Sequence, residues 1–290
     1  MGHSSRLPEA GLLKPETIGR DISTLPHPTR DNIHIGIVEL LWGKGASFKA
    51  TDKDGNTLLH CAARDGHPDT VKILLRKGAS MEALNQQHNT PLHLAAQSGH
   101  TSAVEALLLN GASTTAINQD SKTPLHSAAE GGHTSAVEVL LAKGASIEAL
   151  DKLNRAPLHH AACGNNPSTV ELLLSQGASP ETKEHCNHTP LHFAAWGGYT
   201  RVVELLLSYG APIEAMDLAH STPLNFAARC GHNSTAELLI SKGASIEAVD
   251  KDNNTILYLA TIFGHAGIVR LLRRRAAQLA RPGKQSTIFA

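Results

Sequence analysis

Four residues, Thr-Pro-Leu-His, constrain this chain more than its composition does, because they return at a fixed interval. They stand complete at Thr90–His93, Thr123–His126 and Thr189–His192, and altered at Ala156–His159 and Thr222–Asn225. Outer copies are Thr57-Leu58-Leu59-His60 and Thr255-Ile256-Leu257-Tyr258. Their first residues lie 33 apart each time, and a Gly-Ala pair at 45, 78, 111, 144, 177, 210 and 243 keeps the same interval. A strict period of this size marks a solenoid, in which a small unit buries its apolar face only by stacking on copies of itself.

Each residue of the unit has a physical role. Thr suits an N-cap, its hydroxyl accepting from an orphan amide of the first turn. Pro in the next place has its φ preset for a helix and lacks only an amide that would go unpaired. Leu and the following Ala-Ala pair form a narrow apolar face that a neighbouring helix can approach closely. Gly-His, as at Gly99-His100, stops this first helix, since Gly enters the left-handed region cheaply. Val104, Ala106, Leu107 and Leu108 then give a second helix, ended by Gly111-Ala112. Thr114 to Asn118 read as an extended arm running into a turn. The unit expected is helix, turn, helix, finger.

This pattern resembles the ankyrin repeat, whose signature includes Thr-Pro-Leu-His at a 33-residue period. The resemblance implies an all-α ankyrin-repeat solenoid of helix-turn-helix units, with short β-hairpin-like finger loops adding little or no regular β. Residues 1–23 read as a flexible lead-in and 281–290 as a flexible tail. Between them, 24–280 form a single domain: a degenerate repeat beginning at Thr24, then seven starting near 52, 85, 118, 151, 184, 217 and 250. Departures from the pattern fall at Asn165-Asn166 and Gly198-Tyr199, which replace Gly-His, and at Tyr258, which replaces the motif His. Trp42 replaces a stacking Leu in the degenerate repeat, and arginines end the last second helix where Gly-Ala is due, as a polar cap would.

Composition adds limits. No stretch of eighteen apolar residues is present to span a membrane, and no apolar leader supports secretion. Arg6 stands where a myristoylation signal needs Ser or Thr. Cys61, Cys163, Cys186 and Cys230 form no CxxC pair and read as free thiols of a reducing compartment, hence an intracellular chain, cytoplasmic or nuclear. The zero formal charge is unevenly spread. Residues 270–290 hold six basic side chains and no acid, so the other 20 face 26 acids, a formal −6. An acidic solenoid suits nucleic acid poorly along its length.

Eighteen histidines invite a metal or catalytic reading, but the period absorbs most of them. His60, His93, His126, His159 and His192 hold the motif slot; His67, His100, His133, His232 and His265 hold the turn slot. The resemblance gives both sets hydrogen bonds between repeats. His185-Cys186-Asn187-His188 is the best metal candidate, yet four residues of one tight turn rarely converge tetrahedrally, so no metal is expected. No phosphate-binding loop, dinucleotide fingerprint, nucleophile elbow or HExxH helix is present, so neither catalysis nor a cofactor is expected. Glu82, Glu148, Glu181, Glu214 and Glu247 recur in register and read as a solvated face, with a site for a basic partner as the alternative. The C-terminal arginines have three readings: a helix cap, a nuclear-import or anionic-surface patch, or nucleic-acid contact.

In the family that the chain resembles, finger tips and the outer face of the first helix contact partners. Carried over by position, early repeats offer polar residues there, and later ones change character. The candidate partner-binding set is Leu153, Arg155, Lys183, His185, His188, Trp196, Tyr199, Met216, Leu218 and Arg229. Trp196 takes a slot filled elsewhere by Arg64, Gln97, Glu130 and Arg229. An exposed aromatic rimmed by Arg, Lys and His has the composition of a binding hot spot. The alternative folds Trp196 back onto Tyr199. The expectation is a monomeric, non-enzymatic adaptor or scaffold that binds another protein. Alternatives are a regulatory or targeting arm of an enzyme complex, or an adaptor directed to nucleus or anionic membrane by its arginines.

Overall fold

A computed structural model describes residues 50–280. The repeat expected from Thr24, Trp42, the segments 1–23 and 281–290, and Arg281 and Lys284 lie outside these residues. Among the described residues, fourteen helices alternate in two layers. The first helices are α1 (Leu58–Arg64), α3 (Pro91–Gln97), α5 (Pro124–Gly131), α7 (Pro157–Cys163), α9 (Pro190–Gly197), α11 (Pro223–Cys230) and α13 (Ile256–Ile262). The second helices are α2 (Pro68–Arg76), α4 (Thr101–Leu109), α6 (Thr134–Ala142), α8 (Pro167–Ser175), α10 (Thr200–Ser208), α12 (Asn233–Ser241) and α14 (Ala266–Leu279). First helices stack on first helices and second on second, and each pair packs internally.

The motif builds the start of each first helix. Thr57, Thr90 and Thr255 cap α1, α3 and α13 by accepting the amide three residues on. The motif histidine returns the favour: Nδ1 of His93 accepts the Thr90 amide at 3.2 Å, and Nδ1 of His159 accepts the Ala156 amide at 3.1 Å. Nε2 then reaches the carbonyl 29 residues on, His93 to Lys122 at 2.9 Å and His126 to Arg155 at 3.0 Å. One neutral imidazole thus caps its own helix and holds the next finger.

The core is a ladder. Leu59, Leu92, Leu125, Leu158, Leu191 and Leu224 are buried in the first-helix layer. Val71, Val104, Val137, Val170, Val203 and Ala236 are buried in the second, each with a Leu three residues on. The second helices from α2 to α12 end in a left-handed glycine whose following Ala amide reaches back five residues, as Ala112 does to Leu107 at 3.1 Å. Gly99 ends α3 left-handed (φ 74°), and a Cβ there would overlap the His133 ring of the next repeat.

In each finger an acidic or amide side chain folds the turn. Asp151 Oδ1 accepts the Leu153 and Arg155 amides at 2.8 and 2.9 Å, an Asx-type turn. Successive fingers are joined by single backbone bonds, such as His185 N–H to Leu153 O (3.1 Å) and Leu218 N–H to Cys186 O (3.0 Å). The only β pairing among the described residues is two isolated bridges, Thr51 with Thr57 and Val249 with Thr255.

The glutamate ladder is more than a solvated face. Glu82, Glu148 and Glu214 accept the backbone amides of Ser113, Ser179 and Ser245 at 2.7–2.8 Å, 31 residues on. Thirty-one residues beyond Glu181 stands Pro212, which has no amide to offer. The last repeat is polar only in part. Arg270, Arg273 and Arg274 are exposed on α14, but α13, in the last described repeat, leaves Leu257, Tyr258 and Ile262 exposed.

Candidate protein-binding face

The apolar side chains expected to meet a partner stand in the open. Trp196, at the last turn of α9, is 54% exposed; Leu153, Met216 and Leu218 on the flanking fingers are 44%, 50% and 61% exposed. No ring contact joins Trp196 to Tyr199 among the described residues. Tyr199 instead lies half-buried against the core, beside Gly197, where a Cβ would meet its ring. The Trp196 carbonyl accepts from His232 Nε2 at 2.8 Å, fixing the backbone beneath the exposed indole. Lys183 and His185 are exposed, and His185 Nε2 meets the Lys152 carbonyl at 3.0 Å.

Two candidates, Arg155 and His188, turn inward, while Arg229 stays exposed. Arg155 lays its guanidinium over the Phe193 ring, 5.1 Å from the centroid, and Arg229 lies 5.9 Å from the Phe226 centroid. His188 is held between two finger carboxylates, 2.8 Å from Glu184 and 3.2 Å from Asp217, with Phe226 against its ring. The fingers therefore bring Leu153, His185 and Leu218 into one hydrogen-bonded row, while Arg155, His188 and Arg229 line the helix face beneath.

Sequence reasoning missed the cleft in that face. A cavity of about 170 Å³ opens between the third and fifth described repeats, lined by Lys122, Glu130, Arg155, His160, Cys163 and Phe193. Lys122 and Glu130 pair at 2.8 Å, and the Arg155 Nε is buried without a hydrogen-bond partner. His160 pairs with Asp151 at 2.8 Å, both side chains buried. Burial works to raise the Asp151 carboxyl, yet hydrogen bonds from His160 and from the Arg155 and Leu153 amides hold it well below the usual carboxylate range. The one available signal was His160 itself, standing where neighbouring repeats carry Ser127 and Phe193. Burial drives His93, His126, His159 and His192 down to about 4, so these imidazoles are neutral at pH 7 and serve the framework.

Among the described residues no helix is long and apolar enough to cross a membrane. The ankyrin repeat domain of Bcl-3, titled a unique member of the IkappaB protein family, is 28% identical, with a TM-score of 0.63. The match covers 75% of this chain and 100% of that one. No curated protein sequence gives a significant match. Repeats of the ankyrin kind generally mediate protein–protein interaction. A family model described as ankyrin repeats (3 copies) matches residues 30–118, 103–184, 148–217 and 191–281, and the chain belongs to the ankyrin-repeat family.

Proposed function

We propose that this chain is a non-enzymatic adaptor or scaffold that binds a partner protein on the finger face of its fourth to sixth described repeats. The observation that carries the reading is the exposure of Trp196 between fingers bearing Leu153 and Leu218. A Trp can bury about 150–250 Å² on binding, and fingers linked by backbone hydrogen bonds hold its neighbours in place at little entropic cost. Beside it, the unpartnered Arg155 Nε suits a carboxylate of the partner. The partner segment would carry apolar side chains with an acid among them. The described cysteines are free thiols, which fits work in the cytoplasm or nucleus.

The test compares proteins captured by the intact chain and by Trp196→Ala, with melting curves of both. Trp196 is exposed, so the curves are expected to coincide, while capture of a specific partner weakens at least about tenfold. A partner retained in full by the variant overturns the assignment of this face, and an intact chain that captures no partner overturns the adaptor reading.

A further inference from the structure

The fifth described finger departs from every other one in chemistry. Its turn-forming residue is Glu184, followed by Cys186 and His188, and no other described finger carries Cys or His in either of those two places. The fold does not ask for them, since Asp, Asn, Gln, Leu, Ala and Ser serve elsewhere. Yet these three side chains converge: one carboxylate oxygen, the thiol sulfur and a ring nitrogen lie within 4.8 Å of one another. We propose that Glu184, Cys186 and His188 bind a divalent transition-metal ion of the zinc class.

The His188 ring carries the argument. Nε2 is 3.2 Å from Asp217 Oδ2, and Nδ1 is 2.8 Å from Glu184 Oε1. The Asp217 Oδ1 is held by the Ala219 and Ser221 amides, and Glu184 Oε1 by those of Cys186 and His188. Both carboxylates are almost wholly buried. Two buried carboxylates thus hold the imidazole from both sides, and a ring nitrogen stands within 4.8 Å of the Cys186 sulfur and a Glu184 oxygen. Donation from the far nitrogen to a carboxylate is also how metal-bound histidines are oriented. Cys186, exposed at the finger tip, supplies the soft ligand that favours zinc over calcium or magnesium.

Zinc bonds of about 2.0–2.3 Å ask His188 Nδ1 and Glu184 Oε1 to part from their present 2.8 Å and the exposed Cys186 side chain to turn toward them. On binding, the Cys186 Sγ–H bond gives way to an Sγ–metal bond, the proton bridging His188 and Glu184 is displaced, both protons leave to solvent, and the metal exchanges hydration water for three protein ligands. No electrons move. Water completes the fourth place, leaving the metal open to a further ligand at the edge of the proposed binding face. The site stands independently of that face.

The test uses the full chain, chelator-treated and reduced, titrated with Co²⁺ and then with Zn²⁺. The expected result is about one equivalent of Co²⁺ bound with a thiolate-to-cobalt charge-transfer band, displaced by Zn²⁺. Cys186→Ser removes the band, while Cys163→Ser, at the other exposed thiol, keeps it. Asp217→Asn weakens binding by about 10–100-fold without disturbing the turn, because Asn85 and Asn118 fill the same place in earlier fingers. An intact chain without the band, or a band surviving Cys186→Ser, overturns the proposal and leaves the His188–Glu184 contact a hydrogen bond alone. Unweakened binding by Asp217→Asn overturns the positioning role of Asp217.

Discussion

At the residue scale, the motif imidazole explains why histidine is so frequent here. In five successive described repeats it accepts the cap amide on Nδ1 and reaches the next finger's carbonyl from Nε2. Asn225 stands in the sixth and manages half the work. Its Oδ1 accepts the Thr222 amide at 3.1 Å, but its Nδ2 is buried with no partner. Asn225→His is therefore expected to stabilise the fold by about 0.5–1.5 kcal/mol, the worth of one added hydrogen bond, read as a higher urea midpoint. A lower midpoint would count against the shared role of the slot. The same burial makes stability depend on pH. His93, His126, His159 and His192 sit at about 4 when folded, against the ordinary imidazole value of 6.5. Between these values the unfolded chain binds more protons, so stability held above 6.5 is lost as pH falls toward 4. The slope is at most about 1.4 kcal/mol per pH unit for each histidine. Urea midpoints at pH 7 and pH 5 should differ accordingly, and equal midpoints would contradict neutral, buried imidazoles.

At the element scale, the helices were legible because period and cap act within one repeat. Thr90, Pro91 and Gly99 mark the ends of α3 with no knowledge of its neighbours. Even α7, whose N-cap is Ala156 and so lacks the hydroxyl, keeps the His159 bond and its place. What crosses repeats was hidden. The position of Glu148 repeats visibly, but only the stacked geometry aims its carboxylate at the Ser179 amide. His188 belongs to a finger tip by sequence, yet Asp217 from the next finger draws it inward. The cleft beside Arg155 needs side chains from three repeats, so no single unit announces it. Stacking also sets what a given leucine is worth. Leu191 in α9 is fully buried between two neighbours, whereas Leu257 in α13, with a described neighbour on one side, is 37% exposed. Leu191→Ala is expected to cost about 2–5 kcal/mol and Leu257→Ala clearly less, by chemical denaturation of each. Equal losses would show that stacking on both sides does not govern the ladder.

At the scale of the whole molecule, the framework is nearly uniform and the surface is not. Buried leucines and alanines recur from α1 to α11 and buried histidines from α1 to α9, while the fingers, which expose Leu84, Ile117, Leu150 and Met216 at one recurring position, add exposed Leu153, Trp196 and Leu218 only in the later repeats. A repeated scaffold fixes where side chains are displayed and leaves their identity free, so a cluster that breaks the repeat pattern is the place to look for a partner. The most direct measurement is amide hydrogen exchange on the full chain, alone and with its captured partner. The account predicts new protection at 150–155, 183–188 and 214–220 and in the last turn of α9, with the early fingers at 52–56 and 85–89 unchanged. Protection confined to those early fingers or to α14 would contradict it.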